Sequence, residues 1–143
     1  PSRQVGLSAV DLLGTAARMR PDWIVFGELR GPEALHLLQF FSAGFSGLTC
    51  IHATSADQAL ARLEAMCLMA NLGLGLAEIR NAIVSALGLI TCQRRFPDGR
   101  RLTEIVELAG IENGRYLLQP LMRHNPETDQ FERTPAKPSW ESQ

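Results

Sequence analysis

Two residues stand where chemistry would be placed. Glu28, in Gly27-Glu28-Leu29-Arg30-Gly31, follows the short apolar run Trp23-Ile24-Val25-Phe26. His52, in Thr49-Cys50-Ile51-His52-Ala53-Thr54-Ser55, follows a second run at Leu48–Ile51. In open α/β sheets ligands bind beyond the carboxyl ends of the strands, so two such residues on adjacent parallel strands converge on one crevice. A carboxylate there holds Mg²⁺, directly or through water, or orients an attacking water. An acid that merely caps a strand or pairs with Arg30 is the structural alternative for Glu28. A lone histidine at a strand end is more often structural, and only the convergence with Glu28 favours a functional role. Thr54 and Ser55 add hydroxyls, although capping the next helix is enough to explain Ser55.

Arginines surround these residues. Arg18, Arg20 and Arg30 lie close to Glu28 in sequence, and a guanidinium stabilises charge on a transferring phosphoryl group. Solvation of a surface is the alternative for each one alone. Arg94, Arg95, Arg100 and Arg101 flank the Pro97-Asp98-Gly99 turn and read first as a solvated hairpin tip, second as a small anionic contact. The total charge is balanced, with 14 basic and 15 acidic residues, which removes the usual footprint of a nucleic-acid binder. Thirteen of the 14 basic residues are arginine, and Lys137 is the only lysine. Hence there is no GxxxxGK[ST] phosphate loop, and the 143 residues are not a complete P-loop nucleotidase. Cys50, Cys67 and Cys92 have no metal-ligand spacing and read as buried free thiols of a reducing cytosol.

The elements that must position Glu28 and His52 alternate. Ser8 and Asp11 form a capping-box pattern for a helix that Pro21 stops. Trp23–Phe26 then reads as a strand buried on both faces. Pro32 and Glu33 open a second helix that Gly44 closes, and Leu48–Ile51 is the second strand. Ser55 and Gln58 start a third helix, and Gly73-Leu74-Gly75 separates it from a fourth near Ala77–Ala86. Met66, Leu68 and Met69 read as core or as a subunit contact. Three antiparallel strands follow at Gly88–Phe96, Arg101–Leu108 and Arg115–Met122, joined at Pro97-Asp98-Gly99 and Asn113-Gly114. From His124 the chain is polar and expected to be loosely ordered. The fold class is therefore α/β, with parallel strands in the front half and a small antiparallel meander behind.

Ala16–Gly31, with Arg18-Met19-Arg20-Pro21-Asp22 and Gly27-Glu28-Leu29-Arg30, resembles the Walker B region of the type II/type IV secretion-system ATPases. Gly47–Ser55 resembles their His box, and Ala59-Leu60-Ala61-Arg62-Leu63-Glu64 fits the sequence after it. The nearest branch is that of the Flp/tight-adherence pilus and conjugal-transfer motors. The resemblance implies a partial RecA-like P-loop NTPase core, the distal half of its parallel sheet, over residues 1–123, with a tail at 124–143. It implies a hexameric motor that couples ATP hydrolysis to macromolecule export, cytoplasmic and reaching the inner membrane only through secretion or pilus platform proteins.

By position Glu28 matches the glutamate that acts on the catalytic water and supports Mg²⁺, and His52 the histidine near the γ-phosphate. Arg18 matches an arginine facing the nucleotide. Gly27, Arg20 and Arg30 fall at cofactor-side positions, with Gly27 where many P-loop enzymes carry a metal-binding Asp. Thr54 departs from a frequent Asn. The Walker A loop and the Asp box are expected upstream of residue 1, so ATP and Mg²⁺ belong to the longer protein and bind this piece only weakly. A non-catalytic module that binds ring subunits or a partner is the alternative, and an exposed apolar edge is expected in either case.

Overall fold

The computed structural model describes residues 6–142; residues 1–5 and Gln143, the outer ends of the two expected segments, lie outside the described residues. The first helix, α1 (Ala9–Arg18), begins as its sequence requires. The Ser8 hydroxyl accepts from the Asp11 N–H at 3.1 Å, and the Asp11 carboxylate accepts from the Ser8 N–H at 3.0 Å. Arg20, at φ 51°, turns the chain before Pro21, and β1 (Trp23–Phe26) follows.

Helix α2 (Glu33–Ser42) carries the chain back, and Gly44, at φ 97°, delivers it into β2 (Ser46–Thr49). β1 and β2 pair in parallel, Trp23 opposite Ser46 through Phe26 opposite Thr49. The second strand thus starts and ends two residues earlier than its apolar run suggested, because the Gly44 turn fixes where pairing begins. Gly47 is required on this strand: a Cβ there would collide with the Ile24 carbonyl oxygen and the Phe41 ring. Its absence seats α2 directly on the sheet.

The expectation that β1 is buried on both faces does not hold. Ile24 points into the core at 6% exposure, whereas Trp23, Val25 and Leu48 stand 60%, 69% and 53% exposed. Among the described residues the helices cover one face of this pair only, and a strand so placed alternates. The free face is apolar, bearing Trp23, Val25 and Leu48.

On the covered face, Leu35, Leu37 and Leu38 of α2 meet Leu60, Leu63, Met66 and Cys67 of α3 (Ala56–Met69) and Ile79 and Ile83 of α4 (Leu76–Ala86). The methionine cluster splits, with Met66 in this core and Leu68 and Met69 outside it. The thiols split too: Cys67 is buried and its pKa pushed up to about 11 by desolvation, Cys92 is half-buried and Cys50 exposed.

The back half is an antiparallel sheet in the order β3 (Leu89–Phe96), β4 (Gly99–Glu112), β5 (Arg115–Asn125), β6 (Gln130–Arg133). Asn113 and Gly114, both at positive φ, form the tight turn that twisted hairpins favour. The meander has four strands rather than three. The polar segment after His124 supplies β6 and a 3₁₀ turn at Ser139–Ser142, and the Ser139 hydroxyl and N–H both donate to the buried Glu107 carboxylate. Polarity misled here because these polar groups find partners on β4 and β5. Arg80 of α4 joins the two halves, donating to Glu64 at 2.6 Å and to the Gly114 carbonyl at 2.7 Å.

Two stability measurements follow. Gly47→Ala should destabilise by about 1–3 kcal/mol through overpacking, read as a lowered urea midpoint; an unchanged midpoint would mean that α2 does not rest on β2. Arg101 grips Asp98 and holds its carboxyl at about 2, while His124 and, after it, Arg101 hold the Asp129 carboxyl low. A depressed acid stabilises above its unfolded pKa and loses that effect as pH falls towards its folded one. Urea midpoints should therefore drop between about pH 4 and pH 2, and Asp98→Asn should flatten that slope.

Candidate functional site at the carboxyl edge of the parallel strands

Parallel pairing puts the outgoing ends of β1 and β2 side by side. One further hydrogen bond holds them beyond the ladder: the Leu29 N–H donates to the Cys50 carbonyl at 2.9 Å. The Leu29 side chain is 2% exposed, so it anchors this loop in the core. Glu28 and His52 are thereby brought within reach, with His52 Nε2 2.9 Å from Glu28 Oε1. They border an open hollow of about 220 Å³ lined by Gly27, Glu28, Cys50, Ile51 and His52.

Glu28 is the fixed member, its side chain 24% exposed against 82% for His52. Its second oxygen, Oε2, accepts from Arg30 Nε at 2.8 Å and Arg30 Nη2 at 2.6 Å. That guanidinium is the main reason the Glu28 carboxyl sits below its ordinary range, with His52 and Arg62 adding to it against a smaller cost of burial. Arg30 is itself placed by its backbone: the N–H groups of Arg30 and Gly31 both donate to Glu33 Oε1, at 2.8 and 2.9 Å. Partial burial works to raise the Glu33 carboxyl, but these two donors together with its own N–H hold it below its ordinary range. The loop after β1 is thus a closed hydrogen-bonded turn with Glu28 at its tip.

His52 hangs on a loop held from helix α3. Arg62 donates to the His52 carbonyl at 3.2 Å. Gln58, one helical turn earlier, accepts from the Thr54 hydroxyl at 2.6 Å. Ser55 caps α3, accepting from the Gln58 N–H at 3.3 Å, which is the structural role foreseen for it. Thr54 keeps its side chain on Gln58 rather than on the hollow.

The sequence candidates separate accordingly. Glu28, His52 and Arg30 form one cluster, and Gly27 lines the same hollow. Arg18 ends α1 with a hydrogen bond to Thr15 at 3.2 Å. Arg20 is exposed at the turn into β1. Among the described residues neither guanidinium pairs with Glu28. In sequence Gln58 has only a role at the start of α3 and Arg62 only a place in the run after the His box. Their hold on the His52 loop is new, and their four-residue spacing on the face of α3 next to that loop is the signal that finds it. Among the described residues no group of three or more His, Cys, Asp or Glu is arranged to hold a metal. Glu28 offers a single carboxylate, which fits Mg²⁺ held mainly by phosphate oxygens and water.

The chain is similar to known proteins over most of its length. The family model described as type II/IV secretion system protein matches residues 2–110. An uncharacterized protein of Methanocaldococcus jannaschii is 37% identical over 127 residues, 88% of this chain and 46% of its own length. The probable conjugal transfer protein TrbB of Sinorhizobium fredii is 36% identical over 109 residues, 76% of this chain and 32% of its own length. Among solved structures, the VirB11 ATPase of the Brucella suis type IV secretion system superposes with a TM-score of 0.66 at 27% identity, over 71% of this chain and 32% of that one. The chain spans 32% to 46% of the length of these relatives.

Removing Arg30 tests the electrostatics. In Arg30→Ala the Glu28 carboxyl should titrate at a higher pH, read from its side-chain ¹³C shift. An unmoved titration would show that Arg30 does not set the charge on Glu28.

Proposed function

Because the chain belongs to the type II/IV secretion system protein family, we propose that it supplies the Walker B and His-box half of a secretion or conjugal-transfer ATPase. The observation that supports this most is the 2.9 Å contact between Glu28 and His52 at the carboxyl edge of a parallel strand pair. That is where an α/β sheet places ligand chemistry. When bound, Mg²⁺–ATP supplies the phosphoryl group to be transferred.

Glu28 then acts on the attacking water. A carboxylate held below its usual range is ionised at neutral pH and a weak base, so Glu28 orients water and supports the metal rather than fully removing a proton beforehand. His52, exposed on its loop and tethered by Arg62, contacts the γ-phosphate side of the site. Arg30 keeps Glu28 charged and aimed. Arg18 and Arg20, at the end of α1, contribute positive charge to the nucleotide or to a neighbouring subunit.

The phosphate cradle comes from another segment, because no GxxxxGK[ST] occurs in the 143 residues. The same reading places the working protein in a hexameric ring, docked on inner-membrane secretion or pilus platform proteins that it reaches without inserting. Among the described residues no helix is long and apolar enough to cross a membrane.

Turnover should be absent from the 143-residue chain alone and present where the segment is joined to its phosphate-binding half. In that longer protein Glu28→Gln should lower phosphate release at least about 100-fold with ATP affinity retained. His52→Ala should lower it about 10-fold with thermal stability unchanged. Wild-type turnover in Glu28→Gln would remove the catalytic role and leave the chain as a module that binds ring subunits. A large loss of stability in His52→Ala would return His52 to a structural role.

A further inference from the structure

The His52 loop is held from two sides, and the second side is the antiparallel meander. Arg94, on β3, sends Nη2 to the Thr54 carbonyl at 3.3 Å. Cys92, two residues earlier on β3, faces the same hollow as Arg94. Arg94 and Cys92 share with Thr54 and Ser55 the walls of a second hollow of about 210 Å³, closed on its far side by Thr103, Glu104, Arg123 and His124. The neighbouring arginines are engaged elsewhere: Arg123 pairs with Glu104 at 2.9 Å, and Arg101 pairs with Asp98 and Asp129. Arg94 is the residue of the hairpin arginine group that reaches towards the candidate site.

We propose that Arg94 is a positioning residue, a strut from the meander that sets the His52–Ser55 backbone and so couples movement of the four-stranded sheet to the Glu28–His52 pair. Three observations carry it. The loop carbonyls of His52 and Thr54 are each held by a guanidinium, Arg62 from α3 and Arg94 from β3. Thr54 is also held through its hydroxyl by Gln58, so removing Arg94 releases one of two holds on it. β3 is also the edge strand of its sheet, paired on one side only to β4, so a displacement of the meander reaches the loop first through β3. A guanidinium suits this task because its several donors let it hold a carbonyl while the sheet shifts. The functional part of the proposal rests on the ATPase reading; the structural part does not.

The test compares the unsubstituted 143-residue chain with Arg94→Ala, Arg94→Lys and Arg95→Ala, by amide hydrogen exchange in peptides covering residues 50–57. Exchange there should rise roughly five-fold in Arg94→Ala, as expected for losing one exposed charged hydrogen bond. It should be largely restored in Arg94→Lys and unchanged in Arg95→Ala, with protection of α4 and of β4–β5 the same in all four. Equal exchange in Arg94→Ala and the unsubstituted chain, or an equal rise in Arg95→Ala, would overturn the strut. In the longer protein Arg94→Ala should lower kcat while the KM for ATP stays constant. A rise in KM alone would make Arg94 a nucleotide contact and overturn the positioning role. No turnover in the unsubstituted longer protein would sink the ATPase reading, and the strut would then stand or fall on exchange alone.

Discussion

The parallel pairing of β1 with β2 is the constraint on which the rest depends. Four residues on each side, Trp23–Phe26 against Ser46–Thr49, fix the register. The bond from the Leu29 N–H to the Cys50 carbonyl then carries that register past the strand ends. A slip of one residue would turn Ile24 out of the core and Val25 into it, and would separate Glu28 from His52. The register is secured by helix packing more than by the short ladder. Gly47 lets Phe41 of α2 lie against the sheet, and Leu35, Leu37 and Leu38 bind that helix to α3 and α4.

The candidate site combines one partly buried acid with two exposed partners. Both oxygens of Glu28 are engaged, one by His52 and one by Arg30. Those partners are 82% and 79% exposed, whereas Glu28 is 24% exposed. Exposed ion pairs are worth only about 0–1 kcal/mol, so exchanging either partner for a water or a ligand costs little, while the carboxylate keeps its place. The meander is tied to the helical half through Arg80 and through the contacts of β3 with the α3 cap. A movement of that sheet therefore has a physical route to the loop bearing His52.

Much of this was legible from residue types. The apolar run at Trp23–Phe26, the capping residues Ser8 and Ser55, and the Asn113-Gly114 turn each act through local rules that sequence carries directly. The convergence of Glu28 with His52 was legible because strand ends in a parallel sheet share an edge. The double burial expected of β1 failed because burial depends on what lies opposite, and helices cover only one face of this pair. Residues after His124 looked like a loose tail because their polar groups find partners in β4 and β5, which lie far away in sequence. The hold of Arg62, Gln58 and Arg94 on the His52 loop was missed for a related reason. Their targets are backbone carbonyls and a hydroxyl on a loop; the Gln58–Arg62 spacing marks a shared helix face, but no residue pattern names the backbone acceptor.

The central claim is that Glu28 and His52 act as one unit set by strand pairing. Its most direct test is a paired titration of the Glu28 side-chain ¹³C resonance and the His52 ring ¹⁵N resonances in the 143-residue chain. Groups in contact report one another's protonation, so each nucleus should show a second step at the pH where the other group titrates, and Glu28→Gln should abolish the second step seen at His52. Independent single-step curves, unchanged at His52 by Glu28→Gln, would contradict the account.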